Sequence, residues 1–489
     1  MLPKVHTRIL GAATRLRACA WLLALGALLH GCKVGPNYHA PAPPAGAGSP
    51  LVSLDASAET TAAPPDDWWQ LYHDARLDAF IQEAFNANRQ LASAEANFSA
   101  ATAVVSAARA GLYPSTTAGI GGIYGRDVTT DEILELEGHR PLTVWLLEDL
   151  FQVGYEVDLF GKVRRSIEAA HANAEATEAA RDALRVVVAA ETARAFAQVC
   201  TLGEQLAVAR HSHDVVAHEA DITVNRHDAG AASNYDVARA QALEAQARSA
   251  IAPLEGQRRA ALFQLTALLG RTPANAPHEL DSCTSAPTLD ALIPIGDGAA
   301  ILRRRPDVRQ AERRLAAATA QIGVATADLY PSIKLVGLYG GAATTSGELA
   351  TNIGLTWGVG PAISWNFPNQ IGPRARVRQA KANQASALAA FDSVVLDALK
   401  ETEQALALYS AALDYRQSVA DSQKRIHDAF DIADNQFLAG AVSNLDLLTT
   451  EQALIAADAA VAASDAALVQ DQIAVFKALG GGWQRPAAH

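Results

Sequence analysis

Four short segments of this chain alternate apolar and polar residues. Between Val153 and Leu159 every odd position is apolar, whereas every even position is glycine or an acidic residue. This period of two predicts a β-strand with one apolar and one polar face, as a strand between lipid and water requires. Trp357, Trp365 and Phe367 suit an aromatic girdle at the membrane interface. The four predicted strands are residues 116–126, 150–159, 333–341 and 355–367.

Two helical patterns of unusual length follow the strands. Residues 162–229 and 372–440 contain no proline after Pro373. A helix of about 68 residues extends roughly 100 Å, a length typical of coiled coils rather than globular cores. Gly230 and Gly440 fit the first position after each helix. Each pattern therefore predicts a helical hairpin, whose returning helix is capped by Ser233 or Asn234 in the first case and by Ser443 or Asn444 in the second.

The chain repeats itself with an offset of roughly 210 residues. The sequence Leu-Tyr-Pro-Ser occurs at residues 112–115 and again at 329–332. The predicted order within each repeat is helix, strand, loop, strand, long helix, turn, long helix. We therefore predict a first repeat at 66–285, a second at 286–480 and a C-terminal tail at 481–489, in an α+β membrane protein.

The number of predicted strands implies an oligomer. About eight strands are needed to close a barrel even around its own side chains, and this chain supplies four. After the N-terminal segment we see no apolar stretch of 18 residues, so we expect no helix of the mature chain to cross a membrane. A spanning protein must then use a closed barrel, with strands pooled from at least two subunits.

The first 31 residues have the features of a signal peptide. Four basic residues precede an apolar run from Ala18 to Leu29, which is too short to span a bilayer. The run ends at Leu29-His30-Gly31-Cys32, which is similar to the lipobox of bacterial lipoproteins and implies lipidation of Cys32. His30 departs from the usual small residue, and an ordinary signal peptide with an incidental cysteine is the alternative. Residues 32–65, rich in Pro, Ala and Gly, are predicted to form an extended, lipidated tether.

Composition narrows the function classes. The net charge of −12 and a pI near 5.5 argue against a nucleic-acid partner. We find no phosphate-binding loop, nucleophile elbow or locally paired carboxylates, and therefore predict neither enzymatic activity nor a cofactor. His211, His213 and His218 have no carboxylate or cysteine at ligand spacing, so a solvated helix face accounts for them better than a metal site.

Two cysteines of the mature chain lie outside the tether. If the first hairpin turns near residue 231, Cys200 lies beside about residue 262, close to Gly270, where the returning helix ends. Cys283 follows soon afterwards in the chain. A disulfide between Cys200 and Cys283 is therefore feasible in an oxidising compartment, and two buried free thiols are the alternative.

Five motifs stand out along the chain: residues 32–38 (Cys-Lys-Val-Gly-Pro-Asn-Tyr), Trp68-Trp69, residues 158–162 (Asp-Leu-Phe-Gly-Lys), residues 304–309 (Arg-Arg-Pro-Asp-Val-Arg) and the two Leu-Tyr-Pro-Ser copies. Together they resemble the outer-membrane efflux protein family (TolC-like), specifically its OprM- and NodT-like lipoprotein branch. The resemblance implies a homotrimer with a twelve-strand barrel in the outer membrane of a Gram-negative bacterium, and a twelve-helix periplasmic tunnel with an equatorial domain. It also implies a periplasmic adaptor and an inner-membrane pump, of the RND type, as partners in the efflux of drugs or other small molecules. Lys33 fits the outer-membrane sorting rule of the family.

Two other functions remain open at this stage. The outer component of a type I protein secretion system uses the same kind of duct. A lipid-anchored periplasmic coiled coil that does not span the membrane would explain the helices and the lipobox, but it would not explain four alternating segments at matching places in both repeats.

The hairpin tips are the candidate gate and docking surface. In the family, the position of Asp236 and Asp446 lines or braces the closed aperture, often beside a basic partner, for which Arg226 or Arg239 is available here. The alternative is that both aspartates only stabilise a helix N-terminus. The predicted adaptor-docking residues are Gly230, Ser233, Asn234, Gly440, Ser443 and Asn444.

Basic residues cluster where each long helix begins. Cations at a helix N-terminus oppose the helix dipole, so we expect an external anion to compensate them, and lipid headgroups at the rim of the barrel would serve. A solvated basic face is the alternative. The cluster comprises Lys162, Arg164 and Arg165 in the first repeat, and Arg374, Arg376 and Arg378 in the second.

Overall fold

The computed structural model describes residues 33–53, 64–126, 136, 138, 143–289, 293–295, 298–349, 351 and 355–483. The signal peptide and Cys32 lie outside these residues, as does most of the loop predicted between the first two strands, residues 127–149. The chain forms two compact units. Each combines segments of both sequence repeats, so the compact units differ from the predicted repeat boundaries. Unit 1 comprises Met1–Pro41, Ser99–Ala176 and Glu312–Ala390, and unit 2 comprises Ala42–Phe98, Thr177–Ala311 and Phe391–His489.

Helices make up most of the described chain. The two long predicted helices are present, with lengths of 67 and 68 residues, and their ends lie within two residues of the predicted ones. The α-helices are α1 Ala75–Ala87, α2 Arg89–Ala110, α3 Lys162–Asp228, α4 Asn234–Ser249, α5 Ile251–Leu268, α6 Gly298–Arg304, α7 Pro306–Ala327, α8 Ser346–Leu349, α9 Ile371–Leu438 and α10 Asn444–Ala478.

Unit 1 contains one antiparallel sheet of four strands, in the order β1-β2-β3-β4. Strands β2 and β3 pair across the two sequence repeats, and β1 and β4 are the edges. Strand β2 begins six residues before its predicted start, and β4 ends at Ser364. The prediction that Trp365 and Phe367 belong to the fourth strand is therefore wrong: their rings stack on each other just beyond it, 4.7 Å apart. The strands are β1 Ser115–Gly125, β2 Val144–Val157, β3 Ser332–Ala343 and β4 Leu355–Ser364.

Both helical hairpins turn in the predicted way. Gly230 and Gly440 have a φ of +74°, the left-handed conformation that glycine adopts without steric cost. The N–H groups of Ala231 and Ala441 donate back to the carbonyls of Arg226 and Gln436, at 2.7 and 2.8 Å. This pair of bonds closes the last turn of α3 and α9.

The two returning arms of the hairpins differ. The second is the single helix α10, whereas the first breaks at Ala250 into α4 and α5. Pro253 lies in the first turn of α5, where its missing N–H has no intrahelical partner to lose. The matching position in the second repeat is Ala463, which continues a helix without interruption.

The core of unit 2 is built on aromatic and aliphatic side chains from several helices. Trp68 stacks on Phe476 with the ring centroids 4.8 Å apart. Phe196 of α3 and Leu265 of α5 are completely buried in the same cluster. The motif Trp68-Trp69 therefore serves this core, since both rings are buried there.

The expectation that no mature helix holds a long apolar stretch is wrong. Helices α3 and α10 each contain an 18-residue window apolar enough, by composition, to cross a membrane. The window in α3 is 72% buried inside the protein, as in a core helix, whereas that in α10 is only 22% buried. Alanine is small and weakly apolar, so these windows escaped recognition in the sequence.

Candidate functional site

The tips of the two hairpins carry matching hydrogen-bond networks. Ser233 and Ser443 cap α4 and α10, each accepting from the backbone N–H three residues later, at 3.2 and 3.3 Å. The carboxylates of Asp236 and Asp446 accept in return from the backbone N–H of the same serines, at 2.9 and 3.1 Å. These are two capping boxes, and they give both aspartates a structural role.

The electrostatics of the two tip aspartates differ. Hydrogen bonds from Ser233 lower the pKa of Asp236 below its ordinary value, and the positive charges of Arg226 and Arg239 lower it further. Hydrogen bonds from Ser443 likewise lower the pKa of Asp446, but no cation contributes there among the described residues. The expected basic partner is therefore present at the first tip and absent from the second within this part of the chain.

Arg226 also connects the two hairpins. Its guanidinium carbon lies over the ring of Phe437, 5.2 Å from the ring centroid. Arg226 lies in the last turn of α3 and Phe437 in the last turn of α9. A cation at the C-terminal end of a helix is favourable for the helix dipole, and here it also makes a cation–π contact. Phe437 was missed in the sequence, although an aromatic ring three residues before the turn glycine was a usable signal.

The tips expose small and apolar surface. A Cβ atom added at Gly230 or Gly440 would meet no heavy atom within 4 Å. Tyr235 and Leu445, which occupy matching positions in the two repeats, are 70% and 48% exposed. Both side chains lie in the exposed first turn of a returning helix, and sequence reasoning overlooked them. Of the predicted docking residues, Ser233, Asn234 and Ser443 are exposed.

Four of the six predicted rim cations, Lys162, Arg164, Arg165 and Arg376, have carboxylate partners inside unit 1. Asp158 accepts from the backbone N–H groups of Val163 and Arg164, at 2.9 and 3.0 Å, and its Oδ2 also accepts from the Nε of Arg164, at 3.0 Å. Asp328 pairs with Lys162 at 2.7 Å and with Arg376 at 3.4 Å. The chain itself therefore supplies much of the anionic compensation that we expected from lipid. Arg374 and Arg378 are exposed.

Arg165 does not belong to the rim surface, and that prediction is wrong. Its side chain is completely buried because it binds the chain that follows Cys32. Nε donates to the carbonyl of Val34 at 3.0 Å, and Nη2 donates to the carbonyl of Gly35 and the Oδ1 of Asn37 at 3.1 and 3.0 Å. Its remaining partner is Glu168, at 2.9 Å.

The first residues of the predicted tether are therefore docked rather than extended into solvent. The N–H of Val34 donates to the carbonyl of Phe160 at 3.2 Å. Gly35 packs on Gly323 so closely that a Cβ on Gly35 would lie 2.5 Å from the Cα of Gly323. The two motifs at residues 32–38 and 158–162 thus form one contact. The sequence showed both motifs but not that they meet.

Tyr38 ends the docked segment. Its hydroxyl donates to Glu312 at 3.0 Å, and the guanidinium of Arg313 lies 5.4 Å from its ring centroid. Burial and the charge of Glu312 raise the pKa of Tyr38 to about 12. Residues 33–38 of unit 1 are called the docked segment below.

Unit 2 contains the cysteine pair. Cys200 and Cys283 are joined by a disulfide bond with an S–S distance of 2.06 Å, in agreement with the pairing that the hairpin geometry made feasible. The chain between them is closed into a loop by this bond, and both residues are buried.

The histidines form no metal site in the described part of the chain. No group of three or more His, Cys, Asp or Glu residues there is arranged to hold a metal ion. His213 lies 3.5 Å from Asp214 and 3.9 Å from Glu244, and His211 and His218 are exposed.

Comparison with known proteins identifies the family to which this chain belongs. The profile of the outer membrane efflux protein family matches residues 80–271 and again residues 299–481. Nodulation protein T of Rhizobium leguminosarum bv. viciae is 28% identical over 461 residues, which cover 94% of this chain and 92% of that protein. The antibiotic efflux pump outer membrane protein ArpC of Pseudomonas putida is 29% identical over 462 residues, covering 93% and 94%.

A solved structure of the outer-membrane channel OprN superimposes on this chain with a TM-score of 0.85 and 30% identity, covering 93% of this chain and 100% of that one. Long helices, a small sheet and a twofold repeat are thus the fold of an outer-membrane channel. The chain belongs to the outer membrane efflux protein family, and it is an efflux channel of the outer membrane.

Proposed function

We propose that three copies of this chain form a lipid-anchored exit duct that passively conducts drugs or other small molecules from the periplasm to the exterior. The trimer is inferred from two surfaces of the single chain that have no partner among its described residues: the sheet edges and one face of α10. The sheet of four strands has two edges, β1 and β4, and open edges cannot exist in lipid. Helix α10 leaves most of its apolar window uncovered. Three copies would supply twelve strands and cover both kinds of surface.

The hairpin tips are the proposed aperture and docking surface. The turns at Gly230 and Gly440 leave room for a close approach of another helix, and the exposed Tyr235 and Leu445 supply apolar contact area. A periplasmic adaptor would bind here and open the duct to an inner-membrane pump, for which we propose the RND type. Asp446, with no cation beside it among the described residues, would form a ring of three like charges at the aperture.

We propose that lipid attached to Cys32 anchors the chain to the membrane. Lys33, the next residue, is ion-paired with Glu168 in unit 1, and its backbone packs against Gly161 between β2 and α3. Lipid on Cys32 would then lie beside the strands that cross the membrane. The docked segment thus supports a short, fixed connection between lipid and channel, in place of a long flexible one.

The experiment is conductance in planar lipid bilayers, together with the mass of the purified protein in lipid nanodiscs. A trimer that conducts ions supports the proposal. A monomer without conductance, released from membranes at high salt, would contradict it and favour a coiled coil that does not span. Drug susceptibility of a deletion strain tests the cargo: loss of a secreted protein with unchanged susceptibility would favour a protein secretion system.

A further inference from the structure

A buried carboxyl group lies between the two hairpins of unit 2. Glu451 of α10 is only 2% exposed, and neither of its carboxyl oxygens has a hydrogen-bond partner among the described residues. An ionised carboxylate is costly to bury without a partner. Such a group is therefore stable in this packing only when it carries a proton or when a cation compensates it.

An apolar cluster that draws on both hairpins lies beside Glu451 along α10. Val216 of α3, Leu243 of α4 and Leu448 of α10 form a buried cluster, against which Ile455 packs. Glu451 lies one turn beyond Leu448, between it and Ile455 in the same helix. The carboxyl thus occupies the seam where the first hairpin packs on the second.

The charged groups around this seam are few. From α3, Glu219 faces Glu451 and acts on it electrostatically. From α4, Glu244 is engaged with Arg248 at 3.6 Å and His213 at 3.9 Å, and Arg239 acts on Asp236 instead. On α9, the bond between Gln423 and Asp458 at 2.8 Å places residues near 430 level with Glu451, and the titratable residues there, His427, Asp428 and Asp431, are exposed.

Two effects act on Glu451 in the same direction. Burial, and after it the negative charge of Glu219, raise the pKa of Glu451 to about 7. A carboxyl group with that midpoint changes from about nine-tenths protonated near pH 6 to about one-tenth near pH 8. Since the folded-state pKa is above the unfolded one, the packing is most stable at low pH and loses stability as pH rises through about 7.

We propose that Glu451 is a proton-operated spacer between the two hairpins. When protonated, it allows α10 to pack on α3 near the tips. When ionised, it is repelled by Glu219 and draws water into the seam, which separates the hairpins and favours the open aperture. The inference rests on the proposed function, because it takes the tips to be the end that closes.

The sequence repeat supplies the matched variants. Gln241 occupies the position of Glu451 in the first repeat, and it is exposed. Glu451→Gln keeps the shape of the side chain and removes the titration. Gln241→Glu adds a carboxyl at the equivalent, exposed place, where no pH-dependent separation is expected.

The first measurement is the distance between spin labels at Tyr235→Cys and Leu445→Cys, in the full-length protein in lipid, from about pH 5.5 to about pH 8.5. We expect the distance to increase with a midpoint near pH 7, and the increase to vanish in E451Q but to persist in Q241E. A distance that changes equally in E451Q, or not at all in the parent protein, would overturn the proposal.

The second measurement separates this inference from the proposed function. Single-channel conductance should rise over the same pH range and lose its pH dependence in E451Q. If E451Q conducts with the same pH profile as the parent protein, the proposed role of Glu451 is wrong, whereas the channel function is supported. A label distance that responds through Glu451 without any conductance supports the spacer and overturns the channel. The same pH series is repeated with added Ca²⁺ or Mg²⁺. If the label distance at high pH then stays as short as at low pH, a cation binds at Glu451, which contradicts a response to protons alone.

Discussion

The guanidinium of Arg226 lies 5.2 Å from the ring centroid of Phe437, and this contact joins the last turns of the two long helices. Arg226 also acts electrostatically on Asp236 in the next helix. One side chain therefore links three helix ends at the tips of unit 2, and we expect it to hold these tips together.

Replacing Arg226 by alanine should favour the open aperture. A cation–π contact at an exposed site contributes about 0.5–1 kcal/mol, which corresponds to an opening equilibrium about two- to fivefold more favourable in each chain. Planar-bilayer conductance measures the effect, and entry of large antibiotics into cells reports it independently.

The matched controls are Arg226→Lys and Phe437→Leu. Lysine keeps the charge and should retain part of the closure, whereas leucine keeps apolar contact but removes the π face. If R226A and F437L combine additively, the two side chains are not coupled and the contact does not hold the tips together.

Asp446 can be tested as a gate separately from its capping role. Asp446→Asn keeps a polar side chain that can accept from Ser443 but removes the charge, whereas Asp446→Ala removes both. A ring of charge predicts that D446N alone lowers the preference for cations and raises resting conductance. If only D446A has an effect, accompanied by fraying of the first turn of α10, then Asp446 is a cap and nothing more.

Arg165 should be essential for the stability of unit 1. Its removal leaves the carbonyls of Val34 and Gly35 without their donor, and breaking a buried charged contact of this kind costs about 3 kcal/mol. Arg165→Ala should therefore lower the denaturant midpoint strongly, while Arg374→Ala, at an exposed position, should change stability by less than about 0.5 kcal/mol. Equal effects of the two variants would refute the role of the docked segment.

The same contact predicts a loss of stability in acid. Burial opposes ionisation of Glu168, but hydrogen bonds from Lys33 and Arg165 outweigh it and lower the pKa of Glu168. A lowered folded-state pKa gives stability that is present at neutral pH and disappears as pH falls through that pKa. Unfolding midpoints from neutral to acidic pH should show this loss in the parent protein and a smaller one in Glu168→Gln.

The disulfide between Cys200 and Cys283 should stabilise unit 2. It joins residues 83 apart in sequence. The chain-entropy estimate for a loop of that size is about 4.5 kcal/mol, and residual helix in the unfolded loop would make the real contribution smaller. The double variant Cys200→Ser/Cys283→Ser should unfold at lower urea concentration. An unchanged midpoint, with the parent protein oxidised, would show that the bond is dispensable.

Local features of the fold were predictable because each depends on neighbours in the chain. The hairpin turns follow from Gly230 and Gly440, and the caps from Ser233 and Ser443, since each bond spans only a few residues. The twofold repeat was also visible in the sequence, because its short motifs recur at a constant offset. The predicted end of β4 was wrong. Trp365 and Phe367 are residue types common in strands, but they follow Ser364, the last residue that pairs with β3.

The contacts between distant segments were not predictable. Arg165 looked like one more surface cation, yet it is buried against Val34, Gly35 and Asn37, because the donors of a guanidinium can be satisfied by backbone carbonyls that only the fold brings near. Glu451 looked like an ordinary polar position of a helix, and its burial against the first hairpin depends on the pairing of two hairpins.

By itself, the sequence determined the long helices, the four strands and the turns, because periodicity and capping act locally, and its strand number predicted an oligomer. Only the tertiary structure decided which charges are buried, that the docked segment joins the start of α3, and that Arg226 meets Phe437. Each of these contacts joins side chains from segments tens to hundreds of residues apart. Its free energy comes from burial and from contacts that form only after folding, so a local sequence pattern does not reveal it.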